Sequence, residues 1–377
     1  MSTKGVRAQY EKFPYPPIGQ LALPLRGEGR EIAAPSARRI LVTGCGTLEA
    51  VVAAQANPRA RITAVDLSAS SLRIARTRLT LMRLARPFSR IARVDWVCAD
   101  LLEWAPPPEN KFDFILCSNV IHHVESPALL LARLATWLEH DGVLRVVTYP
   151  KASRIWMRQA ALWLRLSGLT RETPRLAARA HAEIRKLPPN HPARVIFESH
   201  PELNRSAGII DAFFHAHEQP LSPLEWREAC VASGLELFRE SQTETSRSRF
   251  LDEILHEEVR LDPWSKLEVL DCLLELCANP VLWLRHSQSA STQAGFARSN
   301  APTATRSKEE FLELSNFEFE LSQNLRRARE ILQSAGIPLE RLMQALAGEV
   351  GPRVGPPPEE KPLPGLSILD HDWRKML

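Results

Sequence analysis

The sequence "RILVTGCGTLEAVVAAQANPRARITAVD", residues 39–66, decides the fold of this chain. Its first five residues form a short apolar run typical of a buried strand, and a pair of glycines follows. Residues 47–56 are rich in alanine and predict a helix, and residues 61–66 form a second apolar run that ends in Asp66. Two strands joined by one helix predict a right-handed unit with parallel strands.

The same alternation of strands and helices continues downstream. Ser68 is placed to cap a second helix, and residues 127–142 predict a third. The runs "VDWVCAD" (94–100), "FDFILCSN" (112–119) and "GVLRVVTYP" (142–150) predict three further strands. We therefore expect an α/β fold with a doubly wound, mostly parallel, Rossmann-like sheet and helical C-terminal additions. Such a sheet binds its ligand beyond the carboxyl ends of its strands.

The loop after the first strand carries Gly44 and Gly46, which allow a sharp turn and a close approach to a ligand. The N-terminus of the next helix adds free N–H groups and a partial positive charge, which suit a pyrophosphate or a carboxylate. A dinucleotide loop usually has a third glycine for close packing of helix and strand. Leu48 stands there instead, and we expect its bulk to face the site and to favour the smaller carboxylate.

Two acidic residues end the second and third predicted strands. Asp66 is placed to accept both ribose hydroxyls of an adenosine. Asp100 adds a polar group at the third strand end, where a dinucleotide enzyme has no fixed need for it. These residues predict a site for an adenosine ligand, and Leu48 and Asp100 disfavour a nicotinamide dehydrogenase.

The stretches "ILVTGCGTLEA", "ITAVDLSASSLRIAR", "VCADLLEW", "FDFILCSNVIHHVESP" and "DGVLRVVTYP" together resemble the class I S-adenosylmethionine-dependent methyltransferases. More narrowly, the chain resembles a bacterial branch often fused to tetratricopeptide repeats, although it contains no such repeat. That branch shares the segment "QYEKFPYP", a first strand without the usual acidic residue (Val42 here) and the pair His122-His123. Segments like "DAFFHAHEQPLSPLEW" and "LDPWSKLE" also match, so that the resemblance covers roughly residues 9–285.

The resemblance implies that S-adenosylmethionine is the cofactor. Gly44 and Gly46 would then line its methionine part, and Asp66 would take the ribose. The full set of implied cofactor contacts is Gly44, Cys45, Gly46, Asp66, Leu67, Asp100, Leu101 and Asn119.

Methyl transfer from a sulfonium is an in-line displacement, for which the protein supplies alignment and, for some acceptors, a base. His122 and His123 follow the fourth strand, and either is a candidate general base. The alternative is that His123 caps the next turn and His122 packs against the sheet.

Further candidates for contact with a substrate are Tyr10, Tyr15, Tyr149 and His215. His215 and His217 stand two apart in a stretch that we expect to be extended, and Asp211 and Glu218 are close to them in sequence. Side chains of these types are also the ligands of protein-bound metal ions. We expect no metal, because polar lining of a lid explains the same residues.

Three functional classes remain open: a methyltransferase for an unidentified small-molecule or protein acceptor, a nucleic-acid methyltransferase, and a non-catalytic scaffold with this fold. A basic stretch at 151–194 favours the second class, but a net charge of only +4 gives it no general support. The fourth strand is followed by "SNVI" rather than by an aromatic tetrapeptide that stacks a flipped base, which disfavours a nucleic-acid acceptor. Leu48 and the C-terminal region favour the scaffold.

The cellular setting is predicted from what the sequence lacks. The six cysteines have no framework spacing, which indicates reduced thiols. The first twenty residues contain no apolar core of a signal peptide, and no apolar run approaches the about 18 residues of a membrane span. We expect a cytoplasmic protein with no membrane contact.

The predicted organisation begins with a cap segment (1–35) and a methyltransferase domain (36–250) that contains a helical insert (151–207). A helical extension (251–286), a flexible linker (287–308), a helical hairpin (309–347) and a Pro-rich linker with a tail (348–377) follow. The hairpin has an apolar stripe from Phe311 to Leu332 that must be buried. We expect it to dock on the body of the protein or to mediate contact with a second copy or another protein.

Overall fold

The computed structural model describes residues 2–17, 23–25, 28–242, 245–255, 261–274, 279–287 and 326–334. Its centre is a seven-stranded sheet in the order β3-β2-β1-β4-β5-β7-β6. The first five strands of that order run parallel, and β7 pairs antiparallel with both β5 and β6. The strands are β1 Arg39–Thr43, β2 Arg61–Asp66, β3 Arg93–Cys98, β4 Phe112–Ser118, β5 Leu138–Val147, β6 Leu235–Glu240 and β7 Val281–His286.

Eleven α-helices of the described segments are named here. They are α1 Ser2–Lys12, α2 Glu49–Ala56, α3 Ala69–Ala85, α4 Pro127–Trp137, α5 Ile155–Leu166, α6 Leu176–Ile184, α7 Pro192–Ser199, α8 Ser206–Phe213, α9 Pro223–Ala232, α10 Ser246–Leu255 and α11 Pro263–Val269. A π-helical turn, Leu270–Leu274, continues α11, and residues 326–334 form one more helix, called the C-terminal helix below.

Both faces of the sheet are covered by helices, which explains why its central strands are apolar throughout. On one face α2 and α3 pack their alanine, leucine and valine side chains against Ile40, Val42 and Ile62. On the other face α4, α9 and α11 pack against Ile115 and Leu144. The predicted α/β fold with a doubly wound, mostly parallel sheet is confirmed.

The helix ends follow the sequence signals. Ser68 caps α3, since its side chain accepts a hydrogen bond from the N–H of Ser71 at 3.0 Å. Ser222 and Glu225 form a reciprocal capping box at the start of α9. Helix α4, however, ends at Trp137 and not at the predicted Gly142, because residues 138–147 continue directly into β5.

The expectation of a helical extension over 251–286 is wrong in its last part, because residues 281–286 form β7 in the middle of the sheet. A boundary at residue 250 would therefore cut the sheet in two. The run "VLWLRH" is six residues long and apolar, and so short a run fits a strand or a buried helix equally well. The sheet also gains β6, so that it has seven strands where the sequence predicted five.

The expected helical insert (151–207) contains α5, α6 and α7, and α8 extends it to Phe213. These helices share a core of their own, in which Leu164, Ile184 and Phe197 are buried. The stretch from Asp211 was expected to be extended, which is wrong for residues 211–213, since these form the last turn of α8.

Of the predicted hairpin (309–347), the described part is the C-terminal helix. Ala328 and Leu332, one turn apart on it, are fully buried. Arg327 on the same helix pairs with Glu268 at the end of α11, so that the helix docks on the body of the protein. The predicted linker (287–308, apart from residue 287) and the tail (348–377) lie outside the described residues.

Within the described ranges, no helix is both long enough and apolar enough to cross a membrane. The cytoplasmic location stays a prediction.

Candidate cofactor and acceptor site

One cavity of about 760 Å³ opens beyond the carboxyl ends of the parallel strands, where an open α/β sheet binds its ligand. Its inner half is formed by the strand ends and its outer half by α1, α8 and the helical insert. All eight of the predicted cofactor contacts line it: Gly44, Cys45, Gly46, Asp66, Leu67, Asp100, Leu101 and Asn119. Of the other predicted residues, those that line the cavity are Tyr10, Tyr15, His123 and Tyr149.

The loop after β1 requires both of its glycines. Gly44 and Gly46 have φ angles of +55° and +53°, in the left-handed region that other residues adopt at a cost. A Cβ atom on Gly44 would lie 2.3 Å from a methyl carbon of Val120, and one on Gly46 would lie 2.7 Å from the carbonyl oxygen of Tyr15. At both positions Val120 and Tyr15 approach the loop so closely that only glycine, which has no Cβ, fits there.

Leu48 lines the cavity, as its position in the sequence suggested, and it also packs in the core. Its side chain is only 3% exposed and belongs to the core beneath α2, with Ile32 and Val52. It contributes an apolar part of the cavity floor. The adjacent Cys45 is also buried, and burial raises the pKa of its thiol well above the ordinary value, so that it stays a neutral thiol.

Asp66 joins the glycine loop to the start of α3. One carboxylate oxygen accepts the N–H of Gly46 at 2.8 Å, and the other accepts the N–H of Ser68 at 2.8 Å. Burial raises the pKa of Asp66 to about 6, against the lowering effect of those two hydrogen bonds. Each oxygen keeps a second lone pair that can accept a ligand hydroxyl.

The ends of β3 and β4 complete the inner half. The carboxylate of Asp100 accepts the N–H of Leu102 at 2.9 Å and thereby shapes the turn that brings Leu101 to the cavity. Asn119 has a φ angle of +53°, and its N–H donates to the carbonyl of Val147 at 2.9 Å. The side-chain amide of Asn279 donates to the Oδ1 of Asn119 at 3.2 Å, which fixes the Asn119 side chain in the cavity wall.

The N-terminal segment covers this half of the cavity. The N–H and hydroxyl of Thr47 donate to the carbonyl oxygens of Tyr15 and Pro16, both at 3.0 Å. Glu11 caps the first turn of α3 by accepting from the N–H of Ala69 at 2.6 Å and from the hydroxyl of Ser70 at 2.6 Å. The segment is therefore attached on both sides of the glycine loop.

In the outer half, the hydroxyl of Tyr10 lies between two buried polar groups. It is 2.9 Å from Asp211 Oδ1 and 3.0 Å from His215 Nε2. Burial raises the pKa of Asp211 to about 7, while the Tyr10 hydroxyl lowers it by hydrogen bonding. His215 was a candidate for substrate contact; it stands behind Tyr10 and does not line the cavity.

The two adjacent histidines have different surroundings. His122 is buried behind the ring of Tyr149, on which it stacks at 3.8 Å, and its Nε2 has no hydrogen-bond partner among the described residues. His123 lines the cavity and stacks on His215 at 3.7 Å. Its Nδ1 is 2.9 Å from the carbonyl oxygen of His217, so that Nδ1 carries the proton and Nε2 is the basic nitrogen. Burial lowers the pKa of His123 to about 4, so that it is neutral at pH 7.

Two residues that the sequence reasoning missed also line the outer half, Arg154 and Glu202. The guanidinium of Arg154 lies 3.6 Å from the centre of the Tyr149 ring and 3.4 Å from Glu218. Glu202 Oε2 is buried without a hydrogen-bond partner in the described structure. No motif could have identified these residues, because only the packing of the insert brings them to the cavity.

The described residues contain no cluster of three or more His, Cys, Asp or Glu side chains that could hold a metal ion. His217 Nε2 is instead 3.0 Å from the carbonyl oxygen of Val124.

Residues 41–146 match the family model described as methyltransferase domain. An uncharacterised protein of Synechococcus sp. is 33% identical over 171 residues, which are 42% of this chain and 39% of that protein. A ubiquinone biosynthesis O-methyltransferase of Glaesserella parasuis is 26% identical over 120 residues, which are 32% of this chain and 49% of that protein. The chain thus spans less than half the length of these curated relatives.

Among solved structures, PKMT2 from Rickettsia typhi superposes with a TM-score of 0.51 at 14% identity, over 76% of this chain and 53% of that one. At that identity the likeness concerns the fold alone, which is of the Rossmann-like methyltransferase type.

Proposed function

We propose that this protein is an S-adenosylmethionine-dependent methyltransferase that acts on a small-molecule or protein acceptor. The observation that carries the proposal is the position of Asp66, which ends β2, holds the glycine loop and faces a cavity large enough for a cofactor and an acceptor. The match of residues 41–146 to a methyltransferase domain supports it. The narrower resemblance to the branch often fused to tetratricopeptide repeats stays a prediction.

The residues of the inner half fit this cofactor. Gly44 and Gly46 line the cavity and would lie along the methionine part of the cofactor, near the N-terminus of α2. Asp66 would accept the ribose hydroxyls, and Leu67 and Leu101 would flank the adenine, with Asp100 near its amine. When bound, the cofactor supplies an activated methyl group on a sulfonium.

We assign the role of general base to His123 rather than to His122, because only His123 lines the cavity. Its Nε2 has no hydrogen-bond partner among the described residues, and its Nδ1 proton is committed to a backbone carbonyl. A neutral imidazole can take the proton of an acceptor O–H or N–H as the methyl group arrives. His122 supports Tyr149 from behind through the ring stack.

The alternatives lose support. A non-catalytic scaffold was motivated by Leu48, and a cavity of about 760 Å³ is nevertheless present beside that side chain. A nucleic-acid methyltransferase was motivated by the basic stretch 151–194, and the outer half of the cavity contains the carboxylates Asp211 and Glu202, which repel phosphates.

Calorimetry with S-adenosylhomocysteine tests the proposal, because this product needs no acceptor. We expect a dissociation constant in the micromolar range and no binding of NAD at the same concentration. Incubation with methyl-labelled S-adenosylmethionine and separate pools of metabolites and proteins would then identify the acceptor class. Absence of binding at millimolar S-adenosylhomocysteine would replace the proposal with the scaffold.

A further inference from the structure

The segment 149–154, called the acceptor loop here, connects β5 to α5 and forms one wall of the cavity. It contributes Tyr149, Pro150, Ser153 and Arg154 to the lining. Under the proposed function, on which this inference rests, these residues face the methyl acceptor. The contacts that hold the acceptor loop in place therefore affect the alignment of the acceptor.

The acceptor loop is held from outside the cavity by a buried carboxylate. Asp271 accepts three consecutive N–H groups, those of Lys151 at 3.1 Å, Ala152 at 3.0 Å and Ser153 at 2.7 Å. It also accepts the hydroxyl of Ser153 at 2.6 Å. Asp271 is 2% exposed, so that these hydrogen bonds are shielded from water. The loop geometry thus depends on where the end of α11 lies.

A second buried carboxylate, Glu268, lies one helical turn before Asp271 and is fully buried. Its Oε2 accepts the N–H of Leu224 in α9 at 3.0 Å. Its Oε1 accepts from Arg327 Nη1 of the C-terminal helix at 2.9 Å, and the same guanidinium nitrogen is 3.3 Å from Ser222 Oγ. Arg327 therefore ties together the C-terminal helix, the cap of α9 and the end of α11.

Arg327 balances the negative charge of the carboxylates around the end of α11 and the start of α9. Glu225, Glu268 and Asp271 face two described cations, Lys151 and Arg327. Lys151 is committed to Glu225 at 2.9 Å. Removal of Arg327 would leave Glu268 buried and uncompensated one turn from Asp271, which is a costly arrangement. Both carboxylates would then be driven to move or to take up a proton.

We propose that Arg327 and Glu268 are positioning residues for the acceptor side of the site. The C-terminal helix acts through them as a clamp that sets the acceptor loop. The pair touches neither the glycine loop nor Asp66, so that cofactor binding does not depend on it. The C-terminal helix thereby becomes part of the acceptor site, although none of its described residues (326–334) lines the cavity.

Amide hydrogen exchange of the full chain, read by mass spectrometry, tests the clamp. Arg327→Met keeps the apolar stem and removes the charge. We expect it to raise the exchange rate of amides 151–153 by about tenfold or more and to leave peptides from β1 and β4 unchanged. Arg327→Lys keeps a charge that can reach Glu268, and we expect it to retain most of the protection. Arg329→Met, at an exposed position of the same helix, is the matched control and should change nothing.

Exchange at 151–153 within about twofold of the wild-type rate in Arg327→Met would overturn the clamp. If that variant unfolds throughout, Arg327→Met with Glu268→Gln removes the orphaned charge as well; slow exchange of the loop in this double variant would also overturn the clamp. Affinity for S-adenosylhomocysteine should be the same in all folded variants. Failure of the wild type to bind it would refute the proposed function but not the coupling that exchange measures.

Discussion

Replacement of Asp66 by Asn separates the two tasks of this carboxylate. In the wild type, its oxygens accept the N–H groups of Gly46 and Ser68, each at 2.8 Å. Asn keeps one acceptor oxygen and turns an NH₂ group toward the other N–H. A hydrogen bond to a charged group contributes about 1.5–3 kcal/mol, so that one such contribution is lost.

In the folded protein without cofactor, the free energy lost with this hydrogen bond is offset by relief of the cost of burying the Asp66 charge. The pKa of Asp66 is raised from 3.8 to about 6, and a rise of about two units corresponds to about 3 kcal/mol of unfavourable free energy for the ionised form. Because the folded pKa is above the unfolded one, the stabilising contribution of Asp66 is present below pH 3.8 and is lost as the pH rises through about 6. Asn carries no such cost, so that we expect the free energy of unfolding at pH 8 to change by less than about 1.5 kcal/mol.

We expect Asp66→Asn to weaken cofactor binding. The ribose hydroxyls would lose their ionised acceptor, at a cost of about 2–3 kcal/mol, or about 30- to 150-fold in dissociation constant. Calorimetry with S-adenosylhomocysteine measures this at pH 8. In the wild type, affinity should also fall as the pH drops through about 6, where Asp66 takes up a proton, while Asp66→Asn should bind with the same weak affinity from pH 5 to 8. A variant that binds within about threefold of the wild type at pH 8 would refute the role of Asp66.

Three further outcomes are expected. Gly44→Ala places a Cβ 2.3 Å from Val120, which displaces the loop, and should weaken binding of S-adenosylhomocysteine by more than about tenfold. Gly168→Ala, with φ +77° but open space, should only lower the melting temperature, and equal effects of the two variants on binding would contradict a role of the glycine loop. His123→Gln should lower turnover by about a hundredfold with unchanged cofactor affinity, and a loss below about tenfold would leave alignment as the main contribution. Tyr10→Phe removes the hydroxyl between Asp211 and His215 and should cost about 1–3 kcal/mol in chemical denaturation; an unchanged midpoint would show that water replaces it.

The inner half of the site could be predicted because each of its parts is local in sequence. A glycine pair after an apolar strand, or an acidic residue at a strand end, specifies its own backbone and its own place at the edge of a parallel sheet. Gly44, Asp66, Asp100 and Asn119 accordingly line one cavity. Leu48 shows the limit of this reasoning, since the sequence indicates a large side chain but not that it packs in the core and lines the cavity at once.

The parallel sheet and the edge at which we place the ligand site could be predicted from short stretches of sequence, because hydrophobic period and strand ends are short-range properties. The tertiary structure decided the rest. Tyr10 meets Asp211 across 201 residues, and Arg327 meets Glu268 across 59. The place of β7 between β5 and β6 likewise depends on antiparallel pairing with distant strands. Such contacts are selected by the burial of apolar faces and the pairing of buried charges in the folded chain, and no pattern of neighbouring residues encodes them.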